Sequence, residues 1–364
     1  MDVIALCHDY LSRWVITPVT QQFFGVFDLN GRLGVTFLLC SYTVAYGLFR
    51  FRKSRGLTDA STFGRFIGGS RVYLHRSALL DYRYYFVRAI LKVVLVLPVV
   101  GLVDPHLLRS ADYVGFFTRL WGARVQAGEH VSLSLLYGFG VFVVQDFANY
   151  WGHRAFHSRW LWVFHKVHHS APVLVPATVS RLHFVEVIAG KLTSTLCIGA
   201  YAGVFWYACG GEISSYTLFG VTWLVLIFNS FAANLRHTHV WLSFGPAVEH
   251  VLNSPAQHQI HHSDAPKHIN KNFAINLSLW DWMFGTLYVT TPTPEPLRFG
   301  TGEADHERYL TVYSLICTPF LDIARKLRQA KPARTVVADT LQSPESFDEV
   351  RQFSSIRRAG RSVP

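Results

Sequence analysis

Five apolar stretches, residues 33–49, 85–103, 131 to about 150, 187–208 and 216–233, limit what this chain can fold into. Each is near or above the length that crosses about 30 Å of hydrocarbon. With half of the 364 residues apolar, the chain reads as an all-α integral membrane bundle with four to six membrane-embedded helices. The third stretch ends on Gln145, Asp146 and Asn149 and runs straight into His153. Polar groups inside a spanning helix are costly and usually functional, so any chemistry should lie at a membrane boundary.

The net charge of +11 fits topology better than nucleic-acid binding. Arg50, Arg52, Lys53, Arg55, Arg65, Arg71 and Arg76 crowd the segment after the first stretch, as a cytoplasmic loop would, and would also attract anionic headgroups. No basic groove with interleaved aromatic residues separates from this pattern, so nucleic acid is not an expected partner. Cys7, Cys40, Cys197, Cys209 and Cys317 show no CxxC spacing, which argues against a disulfide framework and a thiolate metal site. Asp2, His8, Asp9 and Arg13 interrupt any cleaved-leader pattern, so insertion is expected to rely on the first spanning helix.

Four regions follow. Residues 1–130 form an N-terminal membrane region, opening with an interfacial stretch to about residue 30 that holds Trp14, Phe23, Phe24 and Phe27. Nothing in 31–130 carries visible chemistry. Residues 131–290 hold most of the histidines and form the catalytic region, in which two apolar stretches broken by Gly210 and Gly211 read as a helical hairpin. Residues 291–330 contain one more helix over 306–328, and 331–364, rich in Lys, Arg, Ser, Pro and Asp, read as a disordered tail.

Three histidine clusters carry the chemistry: His153/His157, His165/His168/His169 and His258/His261/His262. Positions i, i+3 and i+4 share one face of a helix, so each cluster presents its imidazoles together. A lone histidine at such a place reads as a surface or interfacial residue; three clusters at helical spacing do not. Eight imidazoles are too many for one ion, since zinc takes four ligands, or three and a water, so the set reads as a dinuclear metal site. Asp146, His153 and His157 are spaced by seven and four, which makes the Asp146 carboxylate a ligand or, preferably, the hydrogen-bond partner of a ligand ring. His237 or His239 completes the shell, with His237 favoured. Glu186, at i+3 from His183, is placed to orient that ring. His250 and His268 read as capping or interfacial, and His8, His75, His106, His130 and His306 as unrelated. A nitrogen-rich donor set suits iron handling dioxygen better than magnesium. The competing chemistry is zinc hydrolysis, although an HExxH arrangement is absent.

Asp-Phe-Ala-Asn-Tyr-Trp-Gly-His-Arg at 146–154, Asn-Ser-Pro-Ala-Gln-His-Gln-Ile-His-His at 253–262, Asn272-Phe273, Asn276 and Trp-Asp-Trp-Met-Phe-Gly-Thr at 280–286 resemble the fatty acid hydroxylase/sterol desaturase superfamily over roughly residues 135–290. The resemblance implies an integral-membrane, non-haem di-iron oxygenase that uses dioxygen and two electrons to hydroxylate or desaturate a C–H position of a lipid, of sterol or fatty acyl type. It carries the metal-ligand role to His153, His157, His165, His168, His169, His258, His261 and His262, with His237 where many members have a further histidine. Asp146 and Glu186 are the expected catalytic carboxylates. One departure is His183-Phe184-Val185-Glu186 in place of His-Pro-x-Glu. No haem-binding His-Pro-Gly-Gly, cysteine set or GxGxxG loop is present, so electrons should come from a separate donor protein. The competing functions are a membrane di-zinc hydrolase of lipid esters and a non-enzymatic metal carrier. The site is expected to face the cytoplasm; without a retrieval signal both a bacterial inner membrane and the endoplasmic reticulum fit, and the short length and lack of a fused electron carrier favour the bacterial membrane.

Overall fold

The computed structural model describes residues 12, 16, 17 and 20, and then 32–330 apart from 105, 106, 129, 219, 220, 231, 232, 303, 304 and 306. The expected tail at 331–364, and the interfacial stretch apart from those four positions, lie outside the described residues. The chain divides into two compact units, Met1–Pro319 and Phe320–Pro364. Of the second, only the end of one helix is described, with an Asp322–Arg325 ion pair at 3.2 Å.

The helices that build the site are α1 (Val35–Ser54), α2 (Arg76–Val103), α3 (Ser110–Trp121), α4 (Val131–Phe156), α5 (Trp162–His169), α6 (Phe184–Cys209), α7 (Trp223–Ser230) and α8 (Pro255–His261), followed by α9 (Val312–Ala330). The only strands named among the described residues are a two-residue antiparallel pair, β1 (Thr217–Leu218) with β2 (Val221–Thr222). The fold is thus the expected all-α membrane bundle. Among the described residues three helices, α2, α4 and α6, are long and apolar enough to cross a membrane, each about 40 Å at 1.5 Å per residue. In α2 the helix takes π geometry over Lys92–Val96 just before Pro98, which has no N–H to give the regular ladder.

Two of the five apolar stretches do not form spanning helices of the expected kind. Residues 216–233 were expected to be the second arm of a helical hairpin. They instead make β1, β2 and the eight-residue α7, whose Phe228 stacks on Phe142 of α4 with centroids 4.8 Å apart. Thr217 and Thr222 pair across the small sheet, and β-branched residues with short loops favour strands over a second long helix. The stretch at 33–49 does form α1, but that helix ends on Arg50, Arg52 and Lys53 and packs along residues 235–242, with Ala45 against Leu235 and Val240. The helix expected over 306–328 is α9, preceded by a 3-10 turn at Glu307–Tyr309.

Close backbone approach fixes α4 against α6. A Cβ at Gly140 would lie 1.9 Å from the Tyr201 hydroxyl, so a larger residue there would displace the Tyr201 ring from the crossing. Gln145 Nε2 then bonds Ser194 Oγ across the interface at 2.8 Å and Asn149 Oδ1 along the helix at 2.9 Å. At the far end α6 stops on Gly210, in the left-handed region at φ 69°, where a Cβ would collide with Val125 O.

A buried ion pair ties α5 to α2. Arg181 and Asp81, both fully buried, meet at 2.9 Å. Arg181 also donates to Ser77 Oγ at 2.9 Å, Ser170 Oγ at 2.9 Å and Val167 O at 3.0 Å, while Thr178 Oγ1 donates to Asp81 Oδ2 at 2.7 Å. Val167 and Ser170 belong to or adjoin the α5 turn that carries His165, His168 and His169, so this network anchors that turn from below.

Candidate metal centre

Each histidine cluster sits where a helix ends. His153 is in the last turn of α4 and His157 caps it. His165, His168 and His169 occupy the eight-residue α5. α8 begins with a reciprocal cap: Ser254 Oγ accepts from Gln257 N at 3.1 Å, Gln257 Oε1 accepts from Ser254 N at 3.0 Å, and Pro255 takes the first helical position. That start sets the angle at which His258, His261 and His262 project. His237 closes the 3-10 turn Ala233–His237.

Nine imidazoles converge in two groups. The first is His153, His157, His165, His169 and His261; the second is His168, His237, His258 and His262; within each, the candidate donor atoms all lie within 4.8 Å of one another. Neighbouring Nε2 atoms are 3.0 Å apart for His153/His165 and 3.2 Å for His165/His169. In the second group they are 3.2 Å apart for His168/His237, 3.1 Å for His237/His258 and 3.2 Å for His258/His262. Two nitrogens bound at right angles to one ion at about 2.1 Å are about 3.0 Å apart, and at the tetrahedral angle about 3.4 Å. His157 Nε2 and His261 Nε2 are buried without a hydrogen-bond partner in the protein, and buried polar atoms are rarely left so. The donor set fits two metal ions. The groups also touch each other, with His169 stacked on His262 at 4.6 Å between centroids.

Burial is the main cause that lowers the pKa of His157, His165, His168, His169, His237, His258, His261 and His262 below the ordinary 6.5, and neighbouring imidazoles lower it further. His168 falls to about 3. These rings are neutral at pH 7, the form that binds metal.

A collar at 270–281 turns the rings. His153 Nδ1–H donates to Phe273 O at 2.6 Å, and His261 Nδ1–H to Lys271 O at 2.9 Å, leaving each Nε2 lone pair for the centre. Two buried carboxylates hold the collar. Asp281 accepts from the N–H groups of Phe273 and Ala274, both at 2.8 Å. Asp146 accepts from Asn276 N and Asn276 Nδ2 at 3.0 Å, Leu277 N at 2.9 Å and Trp280 Nε1 at 3.2 Å. Asn272 sits in the left-handed region at φ 55°, which asparagine tolerates. Its side chain bonds Gln257 O at 3.1 Å and Tyr288 N at 2.7 Å.

These contacts correct two readings of the sequence. Asp146 shares a helix face with His153, yet all four of its hydrogen bonds go to the collar, where they satisfy N–H groups of the loop. Glu186 does not orient His183. Its Oε1 accepts from His165 Nδ1 at 2.8 Å, while His183 caps α6 by accepting from Val185 N at 3.2 Å and bonds Ile316 O at 3.1 Å. Residue 186 lies one turn inside α6 and faces the centre; residue 183 precedes the helix and faces α9. The choice of His237 over His239 agrees with the geometry, since His239 Nε2 accepts from Leu174 N at 3.2 Å. His250 Nδ1 bonds Pro246 O at 2.7 Å, outside both groups.

Two cavities flank the centre. One, of about 590 Å³, is polar and includes His157, His169, His261 and His262 with Trp162, Lys166, Asp264 and Asp305. Trp162 lies 4.9 Å from His157 and 5.2 Å from His169 between ring centroids. The other, of about 500 Å³, includes His153, His165, His168, His237 and His258 with apolar walls from α4 and α6, among them Ala148, Gly152, Phe156, Val187 and Ala189. Arg32, Arg88 and Arg236 also line this second cavity. Arg32 and Arg88 come from the region 31–130, where the sequence shows no visible chemistry; scattered single arginines in an apolar or loop context give no spacing by which to place them at a cavity.

Residues 138–286 match the fatty acid hydroxylase family model. This segment is similar to that family. All nine donors, the collar and Arg236 fall inside the family segment, whereas Arg32 and Arg88 fall outside it. Ornithine lipid hydroxylase of Rhizobium tropici is 26% identical over 220 residues, 60% of this chain and 61% of that one. Alkylglycerol monooxygenase of Xenopus tropicalis is 29% identical over 160 residues, 44% of this chain and 31% of that one. A very-long-chain aldehyde decarbonylase of Oryza sativa subsp. indica is 24% identical over 191 residues, 49% and 28% of the two chains. The chain thus spans 28% to 61% of the length of these relatives. No solved structure matches it.

Proposed function

We propose that this chain is a membrane-bound non-haem di-iron oxygenase that hydroxylates or desaturates a C–H position of a lipid, using dioxygen and two electrons from a separate donor protein. The observation that carries the reading is two adjoining groups of five and four histidines, with Nε2 spacings of 3.0–3.2 Å, opening onto an apolar-walled cavity of about 500 Å³. Five donors exceed the four of a closed zinc site, and the spacings are nearer the right-angle than the tetrahedral value. The relatives' names, a lipid hydroxylase and a monooxygenase among them, support an oxygenase, and nothing favours the hydrolase alternative.

His153, His157, His165, His169 and His261 would hold one ion, and His168, His237, His258 and His262 the other. The chemistry that such a pair supplies when bound is dioxygen reduction coupled to C–H oxidation. The protein's own groups do the rest. Glu186 and the collar carbonyls fix the tautomer and tilt of His165, His153 and His261. Asp146 acts through the collar as a positioning residue. The walls from α4 and α6 hold the lipid and exclude water, with alcohol or alkene set by placement on a scale of about an ångström. The polar cavity, with Trp162 against His157 and His169, is the side we assign to the electron donor. The basic end of α1 supports a site that faces the cytoplasm.

The test is elemental analysis of detergent-purified protein beside His168→Ala and His261→Ala, one from each group. About two irons per chain are expected, with at least one lost in each variant, and reductant with ¹⁸O₂ should give labelled hydroxylated lipid or an oxygen-dependent alkene. Tightly bound zinc alone, retained when iron is supplied during expression, would overturn the reading.

A further inference from the structure

The apolar-walled cavity is apolar in its walls and cationic in its charge. Arg32, Arg88 and Arg236 line it, three cations against one carboxylate, Glu186, whose Oε1 accepts from His165 and whose Oε2 has no hydrogen-bond partner among the described residues. Arg236 is 5% exposed; its Nη2 donates to Asn276 Oδ1 at 3.1 Å, but its Nε is buried without a partner. Arg32 donates through Nη2 to Ala233 O at 2.6 Å, and its Nε is likewise buried and unpartnered. Buried guanidinium groups are costly unless an anion completes their hydrogen bonds, and the planar fork suits carboxylate or phosphate.

A second cavity extends the same charge toward the lipid-facing surface. A groove of about 280 Å³ shares Arg88, Leu182 and Val187 with the first cavity and adds Lys92 and Lys191 among Leu91, Val96, Leu97 and Val100. Arg88 and Lys92 are four residues apart on α2 and so share a face. Lys92 and Lys191 are exposed on spanning helices, where ionisable groups commonly mark a substrate path. Cations therefore run from the outer face of α2 and α6 to the wall that carries His237, the residue next to Arg236. A neutral lipid has no use for them.

We propose that the lipid carries an anionic group, a carboxylate or a phosphate, that enters past Lys92 and Lys191 and seats against Arg32, Arg88 and Arg236. The carbon presented to the histidine centre then lies near the lipid's polar end rather than far along its hydrocarbon. The fate of that carbon rests on the oxygenase reading; the binding does not.

Calorimetric titration of the iron-loaded full chain in non-ionic detergent tests this, with N-decanoylglycine, its methyl ester, decyl phosphate and decanol as probes. The anions should bind at least about tenfold more tightly than their neutral partners, the size of effect expected for one charge-assisted contact. Preference for N-decanoylglycine over decyl phosphate would assign a carboxylate headgroup, and the reverse a phosphate. Arg236→Gln and Arg88→Gln should each weaken the preferred anion about tenfold, and Arg88→Gln should leave the methyl ester and the bound metal unchanged. Because Arg236 also holds Asn276, Arg88→Gln is the variant that spares the collar, and Arg88→Lys should restore part of the affinity. Equal binding of anion and ester, or anion affinity unmoved by both glutamine variants, overturns the proposal. Oxygen placed at the distal end of the bound probe overturns its second half. Metal content and ¹⁸O incorporation from the same preparations separate these results from failure of the oxygenase reading: an iron-loaded, active chain without anion preference loses only this inference.

Discussion

The two faces of the histidine centre are built from the same residue type and do opposite things. His157, His169, His261 and His262 line the polar cavity, and His153, His165, His168, His237 and His258 line the apolar-walled one; among the lining residues no donor belongs to both. The faces do not coincide with the two metal groups, for each group sends rings to both sides. The imidazoles therefore act as a partition as well as a donor set. Each candidate ion can be reached from a polar side, where charge and protons move, and from an apolar side, where a hydrocarbon can lie. A soluble site with one mouth must pass electrons, oxygen and substrate through a single opening. Under the proposed function, the two cavities would separate them.

The largest expected effect comes from removing one ring from each face. His168→Ala and His261→Ala should each lose at least one metal ion and with it turnover; full activity in either variant would break the equivalence of the two sides. Almost as large is the effect of cutting the anchor beneath α5. Arg181→Ala leaves Asp81 buried and unpaired, which should cost about 3–5 kcal/mol of stability, read as a lowered melting temperature. No loss would mean that the ion pair is incidental to the α5 turn. Glu186→Gln, which weakens the orientation of His165, should lower metal affinity about 10–100-fold, and only for the five-histidine group if the groups are independent. Gly190→Phe sharpens the contrast between the faces: Gly190 lines the cavity and a Cβ there meets nothing within 4 Å, so lipid turnover should fall several-fold with metal content intact. A metal loss of equal size would show that the cavity and the donors are not separable.

The smallest effect is on pH dependence. His183 and His239 are outside both metal groups, and burial holds each at about 4 against an unfolded value near 6.5. A depressed folded pKa gives stability that is present above about pH 6.5 and lost as pH falls toward 4. Melting temperature of the metal-loaded protein should therefore decline gently over that window. The metal-free protein should decline more steeply, since His157, His165, His168, His169, His237, His258, His261 and His262 then titrate in the same direction. Superimposable curves would mean that metal does not protect these rings.

Much of the site is legible in the sequence because helical spacing is local information. HxxxH and HxxHH place rings on one face whatever the rest of the chain does, and all eight appear in the two groups. What spacing cannot carry is the partner across a gap of more than a hundred residues. Asp146 and Phe273 are an instance: the carboxylate was expected beside a ring, yet the ring takes the Phe273 carbonyl and the carboxylate holds the loop three residues further on. Asn272 and Asp281 were visible as a motif without a role, because their work is to satisfy backbone groups that only the folded loop exposes. Arg181 and Asp81 lie a hundred residues apart with nothing in either neighbourhood to mark them. In the membrane region hydropathy identified α2, α4 and α6, whose apolar runs are long and continuous. It failed at 216–233, where mean apolarity is high but β-branched pairs and a short loop favour a hairpin.

The order in which the donors occur along the chain has a consequence for how the protein is made. His153 to His169 leave the ribosome together, but His258, His261 and His262, which complete both groups, follow about a hundred residues later. At a synthesis rate of about 5–20 residues per second this is a delay of roughly 5–20 s. Neither group has its full set before α6 has been inserted and α8 has emerged, so ions captured earlier would be held by a fraction of their ligands. The full donor set of either group is therefore assembled only late in synthesis, once the membrane domain is complete.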